Sequence, residues 1–222
     1  MSFYLLIVFA FLPSLIWLIF FLKRDKNPEP RWLIARTFII GALMVIPAIG
    51  SQYLLNHFSN KFIVCLIVAA LIEEMAKYGA AFWGAFHLPE LDEPIDVMIY
   101  MITAGLGFAA MENLLVLVNL NIATLHLMAG ATLMRFLTAT FIHALSSGLM
   151  GYFISFKIFK KKKYFVWIGL IIATAIHAAY NLSIFGLSSQ MDNYAYLAYT
   201  LLLIIPLGVA ILDIIAFAHL KK

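Results

Sequence analysis

Two adjacent glutamates, Glu73 and Glu74, followed one turn later by Lys77, lie in the middle of an apolar run from Phe62 to Phe86. Each ionisable group costs roughly 2.5–3.5 kcal/mol at the centre of an inserted helix. A span that keeps three of them normally turns them toward a protein interior or a wet cavity. Three more polar clusters follow in later apolar runs: Glu112 with Asn113, His143 with Ser146 and Ser147, and His177 with Asn181. Carboxylates and imidazoles in this combination suit the activation of water for hydrolysis. A glutamate held ionised by Lys77 takes a proton from water, and a histidine with Asn181 one turn below stabilises an oxyanion or donates to a leaving amine. Glu73, Glu112, His143 and His177 equally form a donor set for a divalent metal such as zinc, because glutamate with two histidines is a known catalytic zinc ligation. The spacing is compatible with both chemistries.

The composition says where such a site must sit. Of 222 residues, 64% are hydrophobic and 12% charged, with a mean hydropathy of +0.99. Water cannot solvate that surface, so the class is a polytopic membrane protein. The net charge of +4 does not point to nucleic acid, because the charges gather at the ends of apolar runs. A single cysteine, Cys65, excludes a disulfide framework and a cysteine-rich metal site.

Seven apolar runs are expected as helices, since each backbone must satisfy its own hydrogen bonds in lipid: 3–22, 33–56, 62–86, 96–119, 130–156, 164–186 and 194–219. The expectation is an all-α membrane helix bundle forming a single integral membrane domain over 1–222. The first run has its positive charges after it, at Lys23, Arg24 and Lys26, which reads as an uncleaved span rather than a signal peptide. With the N-terminus outside, the inner segments hold eleven lysines and arginines with Arg36 beside them, against Lys61 alone in the outer loops. That asymmetry predicts an N-out, C-in orientation.

Counting along the helices, Glu73, His143 and His177 each fall roughly 18–20 Å from the start of their spans, so they share a depth near the bilayer middle. Glu73 and Lys77 share a face, while Glu74 diverges from Glu73 by about 100° and is expected to find other partners. Asp96 opens the fourth run, where it reads equally as a helix cap or a catalytic group. Arg135 is expected to snorkel at a helix end, and Asp213 to pair with one of these bases. None of the six histidines precedes a glutamate, so the zinc-type His-Glu-x-x-His is absent, as is the Gly-x-Gly-Asp of intramembrane aspartyl proteases. A proton-coupled transporter or channel using the same cluster as a relay is the rival reading, and a non-catalytic membrane scaffold the third.

Taken in order, these elements resemble the PrsW family of bacterial membrane proteases, related to the CAAX prenyl endopeptidases and the bacteriocin-processing abortive-infection group. The matching stretches are Glu73-Glu74-x-x-Lys77, Asp96 leading into Tyr100 and Gly105-Leu106-Gly107-Phe108-Ala109-x-x-Glu112-Asn113, then His143, and His177-x-x-x-Asn181. Glu29-Pro30 in the first inner loop looks similar too, so the resemblance runs from about 23 to 182. It implies a peptidase of the bacterial inner membrane that cuts membrane-anchored protein substrates, in some relatives an anti-sigma factor. It implies Glu73, Glu74, Glu112, His143 and His177 as the catalytic positions, with Lys77, Asn181, Asp96 and Asn113 in support. The family is classed with metallopeptidases. Against the prenyl endopeptidases, the second motif ends in glutamate instead of histidine and the first in lysine instead of arginine, and relatives vary at the position of Asn181.

Overall fold

The apolar runs fold as helices in a computed structural model, which describes residues 3–58, 61–120, 124–188 and 192–220, without the side chains of 56, 186–188, 192–200, 202 and 203. The order is α1 (Phe3–Leu22), α2 (Arg31–Leu43), α3 (Val45–Phe58), α4 (Phe62–Ala81) ending in a π-helical turn at Phe82–Phe86, α5 (Pro94–Asn119), α6 (Leu125–Leu137), α7 (Ala139–Phe159), α8 (Phe165–Ser188) and α9 (Asp192–Leu220). No strand occurs among the described residues.

Two expected runs are each a pair of helices. The run at 33–56 breaks at Met44 because Pro47 has no N–H to donate to the carbonyl four residues back. The run at 130–156 begins earlier, at Leu125, and breaks at Thr138, whose φ of −121° and ψ of −88° are not helical. Counted as continuous rods, the helices form a polytopic bundle of seven.

Five stretches are long and apolar enough to cross a bilayer: Phe3–Leu22, Arg31–Leu55, Pro94–Asn119, Leu125–Phe159 and Phe165–Phe185. Helix α4 has the length, 20 residues, but carries the three charged groups. Helix α9 contributes the shorter apolar stretch Ile204–Leu220. Ile39, Ile46, Leu133, Ile171, Leu207 and Ile214 are each more than half exposed, a surface that lipid solvates and water does not.

Helix α5 is the central post. It is buried without interruption from Ile95 to Ala110, as expected of a helix apolar all round, and it packs against α7, α2 and α1. Its glycines set the approach. A Cβ at Gly107 would lie 2.0 Å from the Phe38 carbonyl oxygen on α2, and one at Gly105 would lie 2.3 Å from Ser147 Oγ and 2.9 Å from the His143 carbonyl on α7. Only a missing side chain lets these backbones come so close, and the Gly105 contact brings His143 beside α5.

The start of α5 settles Asp96. Its Oδ2 accepts hydrogen bonds from the backbone N–H of Glu93 (2.6 Å) and Asp92 (3.1 Å), completing a capping box behind Pro94. Of the two readings of this residue the geometry favours the cap. Asp96 belongs to a group with Asp25 and Glu29, held to α5 by the Tyr100 hydroxyl, which donates to Glu29. Burial pushes the Glu29 carboxyl above its ordinary range.

Candidate active site

Helices α4, α5, α7 and α8 bring Glu73, Glu74, Glu112, His143 and His177 into one pocket. Glu74 and Lys77 are fully buried, and Lys77 Nζ sits 2.6 Å from Glu74 Oε1. This corrects the expected Glu73–Lys77 pairing. Offsets of three and four both fall on one helix face, and Glu73 is drawn off by Gln52 of α3, whose Nε2 donates to its Oε1 at 2.9 Å. Nor do the glutamates diverge. His177 meets both, with Nδ1 2.8 Å from Glu74 Oε1 and Nε2 3.4 Å from Glu73 Oε2. A 100° separation at the backbone is closed by two long side chains converging on one ring.

His143 is arranged in the same way. Its Nε2 lies 2.7 Å from Glu112 Oε2, and its Nδ1 is buried with no hydrogen-bond partner among the described residues. The two imidazoles stand edge to face with centroids 4.9 Å apart. Lys77 Nζ also lies 5.4 Å above the Phe108 ring, a cation–π contact one turn before Glu112.

Glu73, His143 and His177 each bring one donor atom within 4.8 Å of the other two, a group able to hold a metal ion. The expected fourth donor, Glu112, falls outside it. One Glu112 oxygen is turned to His143 and the other accepts from Arg135 Nη2 at 3.0 Å. The donor set and the orphaned buried atoms His143 Nδ1 and Glu73 Oε2 fit a divalent cation.

Three participants escaped sequence reasoning. Arg135 does not snorkel. It is mostly buried, pairs with Glu112 and donates from Nε to Asn113 Oδ1. Asn113 is itself braced, donating to the Ala10 carbonyl of α1 (3.2 Å) and to Thr140 Oγ1 of α7 (3.0 Å). Gln52 was signalled only as a polar residue inside an apolar run. Ser146 donates to Glu74 Oε1 at 3.3 Å, a role for which its position one turn after His143 was the only hint. Asn181 is half-buried one turn beyond His177, and among the described residues no hydrogen bond joins it to the cluster. Asp213 does not pair with these bases. It is 2% exposed, faces Gly148, and neither carboxyl oxygen has a hydrogen-bond partner among the described residues.

Charge and exposure give the site a direction. Two carboxylates have fixed counter-ions, Glu74 with Lys77 and Glu112 with Arg135, and Glu73 has no lysine or arginine partner among the described residues. Side-chain exposure rises from 0% at Glu74 through 3% at both histidines and 14% at Glu73 to 32% at Glu112. Glu112, in the C-terminal half of α5, is thus the most exposed member of the cluster.

A family profile described as PrsW family intramembrane metalloprotease matches residues 29–211, past the last motif and into α9. Among curated proteins, Protease PrsW of Oceanobacillus iheyensis is 32% identical over 187 residues, covering 80% of this chain and 81% of its own. That of Geobacillus kaustophilus is 30% identical over 167 residues, covering 73% and 71%. That of Bacillus subtilis is 26% identical over 176 residues, covering 77% and 78%. No solved structure gives a significant match. The profile runs through all four helices that carry the Glu/His cluster, and the chain belongs to the PrsW family of intramembrane proteases.

Proposed function

We propose that this pocket hydrolyses a peptide bond of a membrane-anchored protein, with Glu73, His143 and His177 holding a divalent metal such as zinc. One observation carries the reading. Each histidine turns one ring nitrogen to a carboxylate, the buried Glu74 for His177 and the partly exposed Glu112 for His143, and keeps the other free of both. Carboxylates behind histidines in this way fix the tautomer and the ring plane and raise the basicity of the outward nitrogen, as they do around catalytic metals. Bound zinc would act as a Lewis acid that brings the pKa of water near neutrality.

The chain's own groups do the rest. Lys77 keeps Glu74 ionised, so Glu74 accepts the Nδ1 proton of His177 and presents Nε2 to the pocket. Glu112 Oε2, 2.7 Å from His143 Nε2, would hold that nitrogen in the same way and leave Nδ1 facing the cluster. Glu73 is the one of the three carboxylates with no lysine or arginine partner among the described residues; with Oε2 given to the cation, its Oε1 takes the proton released from the attacking water and returns it to the leaving amine. Gln52 donates to that Oε1 and keeps the carboxylate aimed. Read as a proton relay, the cluster would belong to a transporter, but the family is one of proteases.

The wider setting is part of this proposal: one integral domain in a bacterial inner membrane, N-out and C-in, with the pocket opening toward the outer face. The substrate class that suits it is a single-span protein cut during regulated proteolysis, such as an anti-sigma factor. The test is purified protein against a single-span substrate, with chelator, with zinc restored, and with Glu73→Gln and His177→Ala. Chelation should stop cleavage, zinc should restore it, and both variants should lose at least about 100-fold in rate. Full cleavage by both variants would overturn the assignment.

A further inference from the structure

Arg135 is a large cation on a helix that contributes nothing else to the cluster, and its position depends on an irregularity. On one continuous helix it would sit eight residues before His143, about 12 Å away along the axis. The break at Thr138 ends α6 and re-aims it. That break is pinned: the Thr138 hydroxyl donates to the Met134 carbonyl at 2.7 Å and accepts from the Tyr180 hydroxyl of α8 at 3.1 Å. As a result the guanidinium spans two neighbouring residues of α5, Nη2 on Glu112 and Nε on Asn113. Asn113 cannot yield, because α1 and α7 hold its amide nitrogen.

We propose that Arg135 is a positioning residue for hydrolysis, acting through Glu112 on His143. This rests on the reading of Glu73, His143 and His177 as the group that holds metal. With one Glu112 oxygen fixed on the guanidinium, the other is left at 2.7 Å from His143 Nε2. A carboxylate oxygen at that distance holds Nε2 and leaves Nδ1, which has no hydrogen-bond partner among the described residues, as the donor atom. A lysine supplies the charge but not the fork, and cannot serve Glu112 and Asn113 together. The pair is partly exposed, 17% at Arg135 and 32% at Glu112, so its contribution to stability is small and its loss shows in the site rather than in the fold.

The experiment compares Arg135→Ala, Arg135→Lys, Glu112→Gln and the Arg135→Ala/Glu112→Gln double variant. Three quantities are read: zinc affinity by competition with a chelator, kcat and KM on a single-span substrate, and thermal unfolding. Arg135→Ala should weaken zinc binding and lower kcat by about 10-fold or more, the range seen when groups behind metal-binding histidines are removed, with KM and unfolding little changed. Arg135→Lys should fall between it and the wild type, and it decides the matter if the alanine variant does not accumulate. The double variant should be no worse than Glu112→Gln alone, because the arginine acts only through that carboxylate. Wild-type zinc affinity in Arg135→Ala or Arg135→Lys, or a double variant showing the product of both single losses, overturns the inference. Glu73→Gln and His177→Ala separate the two levels. If they too bind zinc like the wild type, the metal reading itself fails; if they lose zinc while Arg135→Ala keeps it, only the role of Arg135 fails.

Discussion

Lys77 has two glutamates within reach on its own helix, and which of them it takes decides what both can do. In the buried pair with Glu74 the charges are 2.6 Å apart and shielded from water, an arrangement costly to break from one side. Glu73 is then left with His177 and Gln52 but no lysine or arginine partner among the described residues. Asp213 is the opposite case, a carboxyl with no hydrogen-bond partner among the described residues, on the wall of a largely apolar cavity of about 480 Å³ between α1, α7 and α9 that Arg24 also lines. Burying an unpartnered polar group costs about 1–3 kcal/mol by mutational measures. Asp213→Leu should therefore raise the thermal unfolding midpoint in detergent by a few degrees and leave cleavage unchanged; a lower midpoint would show that Asp213 has a partner. Residue types and depths were legible in the sequence, since charges and histidines inside apolar runs stand out. Partner choice was not, because Glu73 and Glu74 both lie within helical reach of Lys77 and the side chain of another helix, Gln52, tips the balance.

Helices differ in how plainly they announce themselves. Apolar runs gave every rod, and Pro47 explains the break between α2 and α3. The break at Thr138 has neither proline nor glycine beside it, so Arg135 was read on the wrong axis and its role was hidden. Close packing of α5 was partly legible, since Gly105 and Gly107 permit approach, but the neighbours they admit follow from the fold alone. A test at this scale contrasts two glycines. Gly107→Ala places a methyl 2.0 Å from a backbone oxygen of α2 and should destabilise by about 1–3 kcal/mol as α2 and α5 are forced apart. Gly130→Ala in α6 meets nothing within 4 Å and should stabilise by up to about 1 kcal/mol through helix propensity. Thermal unfolding of both variants checks the contrast, and equal effects would contradict the close approach of α2 and α5.

For the molecule as a whole, composition carries the class, and the distribution of lysine and arginine predicts the N-out, C-in orientation. Alkaline phosphatase, active only outside the cytoplasm, should work when fused after Leu120 and fail when fused after Lys163; the reverse would invert the bundle and turn the pocket inward. Helix α4 carries a further consequence for how the protein is made. It holds three charged residues in twenty, and at roughly 2.5–3.5 kcal/mol each it cannot partition into lipid by itself. Lys77 and Glu74 offset each other within the helix and Gln52 of α3 serves Glu73, but His177, which meets both glutamates, lies on α8, synthesised long after α4. The candidate site is therefore complete only after α8 has been made, late in biogenesis. A partly synthesised chain would have no competent protease to release among the other nascent proteins of the membrane.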